Sequence, residues 1–465
     1  KNMPWRQRLL AGILSVLFVG VGAGGAGGRY DVEARHRESP VSRIAFGSCY
    51  KVGEDWDQDR VWDQIVGYDP ELFIWLGDNI YADMKALLPP HEMFKKRGAA
   101  AFLEWSWRGE EETRDMYTEL KGTAGYKRVV SRSSVIGTWD DHDYGLNNAG
   151  REFSARETTK RLMLDFLDEP LGSARRTQHE GVYEAYVLGP PGRRIRVILL
   201  DTRYARGEPG APGADMLGPA QWAWLERELA DGEPAELTLV GSSILFIEAL
   251  GQIVPGEAEG WCNFPESRAR LLRTLSNTTG VFFISGDVHH ALLSEQPAGC
   301  GLPYRLIDFT SSGMTHSLFE SLPLHDFLEV FLHHSGLTRG WLFPRRLSER
   351  PRYMRKNWAK VEVDWDAEPG NPRVLLTAVG EGGEPVITRA TSLAELSPAS
   401  ATAPADSGAC EWDESLGPRE SMRTIYIISA YFFCVFAALA LCVSAALKAL
   451  FSAAAAGRTK STKVL

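Results

Sequence analysis

The sequence predicts an α/β fold with mixed β-sheet, followed by one C-terminal transmembrane helix. Between residues 42 and 390, short apolar runs alternate with amphipathic stretches, which is the pattern of buried strands connected by helices. Near the end of this region, the segments WAKVEVDW and RVLLTAVG alternate apolar and polar residues, as paired antiparallel strands do. Residues 424–447 carry no charged side chain and are numerous enough to cross a bilayer.

The N-terminal segment, residues 1–28, has the layout of a secretory signal peptide. Basic residues precede an apolar run from Leu9 to Val21, and small residues follow it. We expect cleavage near Gly28, with an uncleaved anchor as the alternative. Residues 29–41 are then predicted to be a short linker.

Residues 42–390 are predicted to form the folded body. Six near-continuous apolar runs are typical of strands buried on both faces: RIAFGSC, ELFIWLGD, SVIGTWDD, RIRVILLD, ELTLVGSS and GVFFISGD. The amphipathic stretches predict helices at 57–68, 155–169, 218–230 and 265–276. Residues 84–113 are predicted to be an insertion over one face of the sheet.

The C-terminal part predicts membrane attachment. Residues 391–423 are rich in Ser, Ala and Pro and are predicted to be a stalk, residues 424–447 the membrane span and residues 448–465 a short basic cytosolic tail. The body would then face the lumen or the outside, as in a single-pass type I membrane protein of the secretory pathway or cell surface. The sequon at Asn277 is a predicted glycosylation site.

Cysteine usage and net charge narrow the range of functions. Outside the predicted span lie Cys49, Cys262, Cys300 and Cys410, of which two or more could pair in an oxidising compartment. The formal net charge of −9 argues against a nucleic-acid-binding surface. An anionic substrate would therefore need a local positive centre such as a metal ion.

Possible metal ligands follow four of the predicted strands, at the point where each strand ends. They are Cys49, Asp78, the acidic cluster 140–143 with His142, and the group Asp287, His289 and His290. Ligands of open α/β sheets bind beyond the carboxyl ends of strands. Three acids within four residues repel one another unless a cation or strong donors compensate them. The sequence therefore predicts a metal site at this edge.

These motifs resemble those of a known family. GDNIY fits the Gly-Asp-x-x-Tyr motif of purple acid phosphatase-like metallophosphatases, while DHD and GDVH look like variants of their Asn-His-Asp/Glu and Gly-His-x-His motifs. The opening SC, the WDDHD followed by Asn, LDTRYAR and SGDVHHA are similar to the motifs of the PhoD-like alkaline phosphatase branch. The resemblance implies a four-layer α/β/β/α metallophosphatase sandwich with a cluster of iron and calcium.

The resemblance also implies roles for individual residues. On the iron side it implies Cys49, Tyr81 and His289, with Asp78 as a bridge between the two metals. The residues that it implies for the calcium side are Asp141, Asp287 and Asn148. It further implies that Arg203 holds a phosphate oxygen.

The chemistry of the side chains agrees with these roles. A phenol must lose its proton to bind a metal, so Tyr81 favours ferric iron, whereas carboxylate and amide oxygens suit calcium. Manganese or zinc in either position is left open. His142 would orient the attacking group or protonate the leaving alkoxide, with a histidine that only hydrogen-bonds its acidic neighbours as the alternative. Asp83 is predicted to be only a loop acid.

The predicted function is metal-dependent hydrolysis of phosphomonoesters or phosphodiesters by a membrane-tethered lumenal or extracellular enzyme. One alternative is a non-catalytic membrane ectodomain that keeps the metal site for stability or binding. Another is a glycosidase that uses the acids of the 140–143 cluster as a carboxylate pair, although such an enzyme has no use for Cys49 or Tyr81. The oligomeric state stays open.

Overall fold

The computed structural model describes residues 29–53, 58–87, 103–247, 259–317 and 351–398. In chain order, the strands of these residues are β1 (Arg43–Gly47), β2 (Leu72–Leu76), β3 (Asp83–Leu87), β4 (Leu103–Trp107), β5 (Ser134–Thr138), β6 (Glu184–Leu188), β7 (Ile195–Leu199), β8 (Leu237–Ser242), β9 (Val281–Ser285), β10 (Ala291–Gln296), β11 (Leu306–Ser311), β12 (Arg352–Tyr353), β13 (Asn357–Asp364), β14 (Arg373–Gly380) and β15 (Pro385–Ser392). The helices are α1 (Arg29–His36), α2 (Gln58–Tyr68), α3 (Glu110–Gly122), α4 (Ala124–Val130), α5 (Asp141–Tyr144), α6 (Arg156–Phe166), α7 (Ala174–Thr177), α8 (Gly218–Asp231) and α9 (Pro265–Leu275).

Two mixed sheets form the centre of the fold. The first has six strands in the order β15-β14-β13-β1-β2-β5, in which β1, β2 and β5 run parallel and the remaining strands pair antiparallel. The second has seven strands in the order β12-β10-β11-β9-β8-β7-β6, with β7, β8, β9 and β11 parallel. A separate two-stranded sheet pairs β3 with β4. The mixed α/β fold predicted from the sequence is confirmed.

The two large sheets share one hydrophobic core. Phe46 and Leu76 of the first sheet belong to the same buried cluster as Leu199 and Phe283 of the second. A Cβ added at Gly241 in β8 would lie 2.8 Å from Leu199 and 3.2 Å from Leu76, so the sheets approach closely there. This contact places the carboxyl ends of strands from both sheets at one edge.

Helices cover the sheets. The side chains of α2, α3, α4 and α6 join Phe73, Trp75 and Val135 of the first sheet in a second buried cluster. Trp222 and Leu225 of α8, together with apolar residues of α9, pack into the core that the second sheet shares. Amphipathic sequence is sufficient to explain these helices, since each buries one apolar face against a sheet.

Most predicted elements are present at the predicted places. All six apolar runs form strands, the four predicted helices occur within a few residues of their predicted bounds, and β13 pairs antiparallel with β14. Residues 29–41, predicted to be a linker, instead contain α1, whose Val32 is buried in the core. Within the predicted insertion 84–113, the described residues form most of the β3–β4 pair and the start of α3.

The predicted membrane-handling segments lie outside the described residues. These are the signal peptide 1–28, most of the stalk, the span 424–447 and the tail 448–465. Among the residues that are described, none of the helices combines the length and the apolar character that crossing a bilayer needs. Cys49 has a thiol outside any disulfide bond, and Cys300 is disulfide-bonded.

Candidate metal centre

The backbone turns sharply where strands β1, β2 and β9 end. Seven non-glycine residues of the described chain have positive φ, and five of them are predicted site residues: Cys49 (60°), Asp78 (51°), Asn148 (57°), Asp287 (73°) and His289 (56°). This conformation costs about 1–3 kcal/mol for each such residue and persists only where the surrounding structure holds it. The fold therefore holds these side chains in their directions at a cost in folding free energy.

Two glycines let the loops at this edge come close together. Gly77 has φ of 96°, and a Cβ there would lie 2.4 Å from the Cβ of Asp140. A Cβ at Gly286 would lie 2.6 Å from Ser48 Oγ and 3.0 Å from the carbonyl oxygen of Leu76. Only glycine permits these approaches, which bring the loop after β9 against the ends of β1 and β2.

The structure brings the predicted ligands into adjoining groups. Potential ligand atoms lie within 4.8 Å of one another in three sets: Cys49, Asp78 and His289; Asp78, Asp141 and His142; and Asp78, Asp140, Asp141 and Asp287. Asp78 belongs to all three sets. Its carboxylate therefore lies where two neighbouring cations could share it.

The first group combines sulfur, phenol and imidazole. Cys49 Sγ lies 3.4 Å from Asp78 Oδ2 and 3.0 Å from Ser312 Oγ. Tyr81 Oη lies 3.3 Å from His289 Nε2. Burial raises the pKa of Cys49 to about 12 and that of Tyr81 well above its usual value, while burial lowers the pKa of His289 to about 4. A cation at this position would be needed to deprotonate the thiol and the phenol.

The second group is a buried cluster of carboxylates. Burial raises the pKa values of Asp78 and Asp287 well above their usual range and that of Asp140 to about 6. Burial acts in the same direction on Asp141, but the charges of His142 and Arg203 outweigh it and lower its pKa to about 2. Asp140 Oδ2 and Asp141 Oδ1 are buried and have no hydrogen-bond partner among the described residues. Such oxygens are costly unless a cation compensates them.

His142 is held by a residue that the sequence analysis set aside. Its Nδ1 lies 2.8 Å from Asp83 Oδ1, and Asp83 Oδ2 accepts a hydrogen bond of 2.7 Å from the backbone N–H of Asn147. Burial would lower the pKa of His142, but the carboxylates of Asp141 and Asp83 raise it. The prediction that Asp83 is only a loop acid is therefore wrong: the residue is 3% exposed, and its carboxylate orients an imidazole of the site.

Aromatic rings surround the imidazole of His142. The ring of Tyr81 lies 4.3 Å from it and that of Trp105, on β4, lies 5.3 Å away, measured between centroids. The β3–β4 pair thus contributes both Asp83 and one wall of the site.

Arg203 is fully buried, and two of its three side-chain nitrogens are paired with acids. Its Nε donates to Asp140 Oδ1 at 2.6 Å, and its Nη1 pairs with Glu259. Within the described part of the chain, its Nη2 has no hydrogen-bond partner. Arg206 also pairs with Glu259 and donates to the backbone carbonyl of Asn148. The predicted phosphate-binding arginine therefore also fixes the acidic cluster.

Asn148 and Asn277, two further predicted site residues, occupy different surroundings. The backbone N–H of Asn148 donates to Asp141 Oδ2 at 2.6 Å, which places Asn148 next to the carboxylate group. Asn277 is exposed in the turn after α9, away from this cluster of ligands.

The structure adds residues that sequence reasoning missed. Ser312 borders Cys49, and His316 borders Tyr81. Both newly found neighbours follow β11, whose apolar run ends in SSGMTH. The rule that polar residues after a buried strand form a site would have found them, had this strand been recognised.

Two mixed sheets with clustered metal ligands at one edge define an α/β protein with a candidate two-metal centre. Residues 44–321 match the family model of the PhoD-like phosphatases, and the chain belongs to this family. The resemblance stated from the motifs is thereby confirmed.

Comparison with solved structures agrees at the level of the fold. The chain is similar to the structure of PhoD, with a TM-score of 0.52 and 15% identity over 77% of this chain and 72% of that one. It is also similar to GAP50, the anchor in the inner membrane complex of Plasmodium, with a TM-score of 0.42 and 11% identity over 76% of this chain and 90% of that one. No curated protein sequence matches the chain significantly.

Proposed function

We propose that this protein hydrolyses phosphoesters with the help of two metal ions bound at the edge of its sheets. The observation that carries the proposal is the shared position of Asp78 among three groups of potential ligands with atoms mutually within 4.8 Å. Two-metal phosphoesterases use such a shared carboxylate to hold their ions close together. Membership of the PhoD-like phosphatase family supports the same chemistry.

The donor atoms fit the metals that the family resemblance implies. Cys49, Tyr81 and His289 offer a thiol, a phenol and an imidazole, a set that suits ferric iron. The oxygen-rich side offers Asp141, Asp287 and the unpaired buried oxygens of the carboxylate group, which suits calcium. Asp140 joins this side, and Asn148 stays a proposed calcium ligand. The bound ions would supply the positive charge that activates water and stabilises the phosphoryl group.

The chain's own residues would position the reactants. Asp83 accepts from Nδ1 of His142, which leaves Nε2 free to exchange a proton with the substrate or the attacking water. We infer that His142 acts as a general acid for the leaving alkoxide, because its neighbours Asp141 and Asp83 favour its protonated form. Arg203 can reach a phosphate oxygen only through Nη2, since its other two nitrogens are occupied.

The carboxylate-pair glycosidase finds less support in the same geometry. Asp143 Oδ1 accepts a hydrogen bond of 2.5 Å from the backbone N–H of Asp140, and its Oδ2 accepts one of 3.1 Å from that of Asn79. Asp140 is held by Arg203 and is fully buried. The carboxylates of both acids are therefore held by hydrogen bonds within the protein and are not available to a glycoside.

The test is turnover by the purified full chain. A chromogenic phosphodiester and the corresponding phosphomonoester are offered before chelation, after chelation and after addition of iron and calcium, alone and together. Chelator-sensitive turnover that returns with the metals supports the enzyme and reports the ester class. Firmly bound metal with no turnover of either ester would favour the non-catalytic ectodomain. Hydrolysis of glycosides in chelator would favour the glycosidase.

We also propose that the protein is tethered to a membrane with its body in the lumen or outside the cell. The apolar segment 424–447 supports the tether, and the disulfide at Cys300 agrees with an oxidising compartment. The exposed position of Asn277 makes it accessible for glycosylation. Alkaline extraction of membranes, with and without residues 424–465, tests the tether. Gel mobility before and after endoglycosidase treatment tests on which side of the membrane the body lies. The treatment should shift the wild type but not Asn277→Gln.

A further inference from the structure

The loop after β11 places a second histidine on the phenol of Tyr81. His316 Nε2 lies 2.8 Å from Tyr81 Oη, closer than His289 Nε2 at 3.3 Å. The rings of His316 and His289 pack edge to face, with centroids 4.4 Å apart. Neither the sequence motifs nor the role of Tyr81 as a ligand accounts for His316.

His316 lies beside the ligand group rather than inside it. Among the described residues, none of the sets of three or more His, Cys, Asp and Glu side chains with ligand atoms mutually within 4.8 Å includes His316. Cys49, Asp78 and His289 do form such a set. The imidazole of His316 contacts the oxygen of Tyr81 and does not belong to the set of Cys49, Asp78 and His289.

The other ring nitrogen of His316 lies beside the hydroxyl of Thr315. The backbone N–H of Lys51 donates to Thr315 Oγ1 at 2.9 Å, which leaves the hydroxyl hydrogen of Thr315 free to be donated. That hydroxyl lies 3.1 Å from His316 Nδ1 and 3.3 Å from the carbonyl oxygen of Cys49. Thr315 Oγ1 can either donate to Nδ1 or accept from it, so this contact is compatible with a ring hydrogen on Nε2.

We propose that His316 is a positioning residue for Tyr81, whose phenolate oxygen accepts a hydrogen bond from His316 Nε2–H when Tyr81 binds the metal ion. This inference rests on the proposed function, in which Tyr81 is a ligand of ferric iron. A phenolate oxygen can only accept hydrogen bonds, so the 2.8 Å contact requires the hydrogen of the His316 ring on Nε2. The interaction fixes the ring of Tyr81 and withdraws electron density from its oxygen, as neighbours of a first-shell ligand do.

The hydrogen bond has a spectroscopic consequence. A ferric phenolate absorbs visible light by moving an electron from the phenolate to the iron. A hydrogen bond to the phenolate oxygen lowers the energy of the donating orbital, so the transition requires more energy. Loss of the hydrogen bond therefore moves the absorption band to longer wavelength and makes the iron harder to reduce.

The experiment records visible spectra and iron content of the full chain loaded with ferric iron and calcium. His316→Asn and His316→Leu remove the donor, because neither side chain can donate to the oxygen of Tyr81 from this position. His316→Gln keeps an N–H near Nε2. Tyr81→Phe removes the phenolate. His179→Gln is the matched control, because His179 also packs on a tyrosine, with its ring 4.4 Å from that of Tyr183, but does so away from the metal groups.

We expect the band of His316→Asn and His316→Leu at longer wavelength than that of the wild type, at equal iron content. We expect His316→Gln and the His179 control to keep the wild-type band. An unshifted band in both donor-free variants would overturn the role of His316 while leaving the metal centre intact. Loss of iron in those variants would also overturn it, by making His316 a ligand. Absence of the band in the wild type would show that Tyr81 does not bind iron as a phenolate. That result would also refute the iron site of the proposed function.

Discussion

Asp83 offers the sharpest test of the proposed catalytic site. Its two carboxylate oxygens accept hydrogen bonds from His142 Nδ1 at 2.8 Å and from the backbone N–H of Asn147 at 2.7 Å. The substitution Asp83→Asn keeps the size of the side chain but supplies only one acceptor oxygen. One of the two donors must then face an amide N–H₂, and the negative charge beside His142 is lost.

The size of the effect follows from the bond that is lost. A hydrogen bond to a charged group contributes about 1.5–3 kcal/mol, which corresponds to roughly 10- to 150-fold in kcat/KM if the bond acts in the transition state. The pKa of His142 should also fall, because Asp83 is one of the carboxylates that raise it. For a general acid, the alkaline limb of the pH-rate profile then moves to lower pH.

The assay is hydrolysis of a chromogenic phosphodiester by wild type and Asp83→Asn across a pH series, with iron and calcium content measured in parallel. Asp168→Asn is the matched control, because Asp168 also forms a salt bridge, with Lys121, but lies on the surface. Activity of Asp83→Asn within twofold of the wild type would refute the role given to Asp83. So would a large loss of kcat with an unmoved alkaline limb, since Asp83 would then act only on structure.

Three further predictions concern stability and metal content. Chelation should lower the free energy of unfolding in urea, by about 2.7 kcal/mol for each site whose free ion stood at 100 times its dissociation constant; an unchanged unfolding midpoint would contradict a resident metal. Burial raises the pKa of Glu184 from 4.5 to about 7, so its contribution to stability is fully present below pH 4.5 and is lost as pH rises through 7. The free energy of unfolding of Glu184→Gln, relative to that of the wild type, should therefore rise by up to about 3 kcal/mol between pH 4.5 and 8. Parallel plots of the unfolding free energy against pH for the two proteins would refute the raised pKa. Gly286→Ala, whose Cβ would lie 2.6 Å from Ser48 Oγ, should lower metal content through displacement of the loop, whereas Gly67→Ala, which has open space, should not.

Local sequence was sufficient to predict the strands and several ligands. The runs RIAFGSC, ELFIWLGD and GVFFISGD each end in a candidate ligand, and the structure brings Cys49, Asp78 and Asp287 to one edge. This succeeded because the end of a buried parallel strand is visible as a change from apolar to polar residues. Strands β10 and β11 were missed, because their sequences ALLSEQ and LIDFTS mix polar residues with apolar ones.

The partners of these side chains could not be predicted in the same way. His142 meets Asp83, which is 59 residues away in the chain, and Arg203 meets Glu259, which is 56 residues away. Nothing in the local pattern around Asp83 distinguishes it from a surface acid. Its role depends on the β3–β4 pair, which places it against the loop after β5.

The sequence by itself determined the alternation of helices and strands, the membership of a metallophosphatase-like family and the residue types of the metal site. These properties follow from hydrophobic periodicity and short motifs, which act over a few neighbouring residues. Only the tertiary structure decided that Asp83 orients His142, that Asp140 pairs with Arg203 and that His316 contacts Tyr81. The physical reason is that these contacts join segments whose proximity is set by the order of strands and the packing of two sheets.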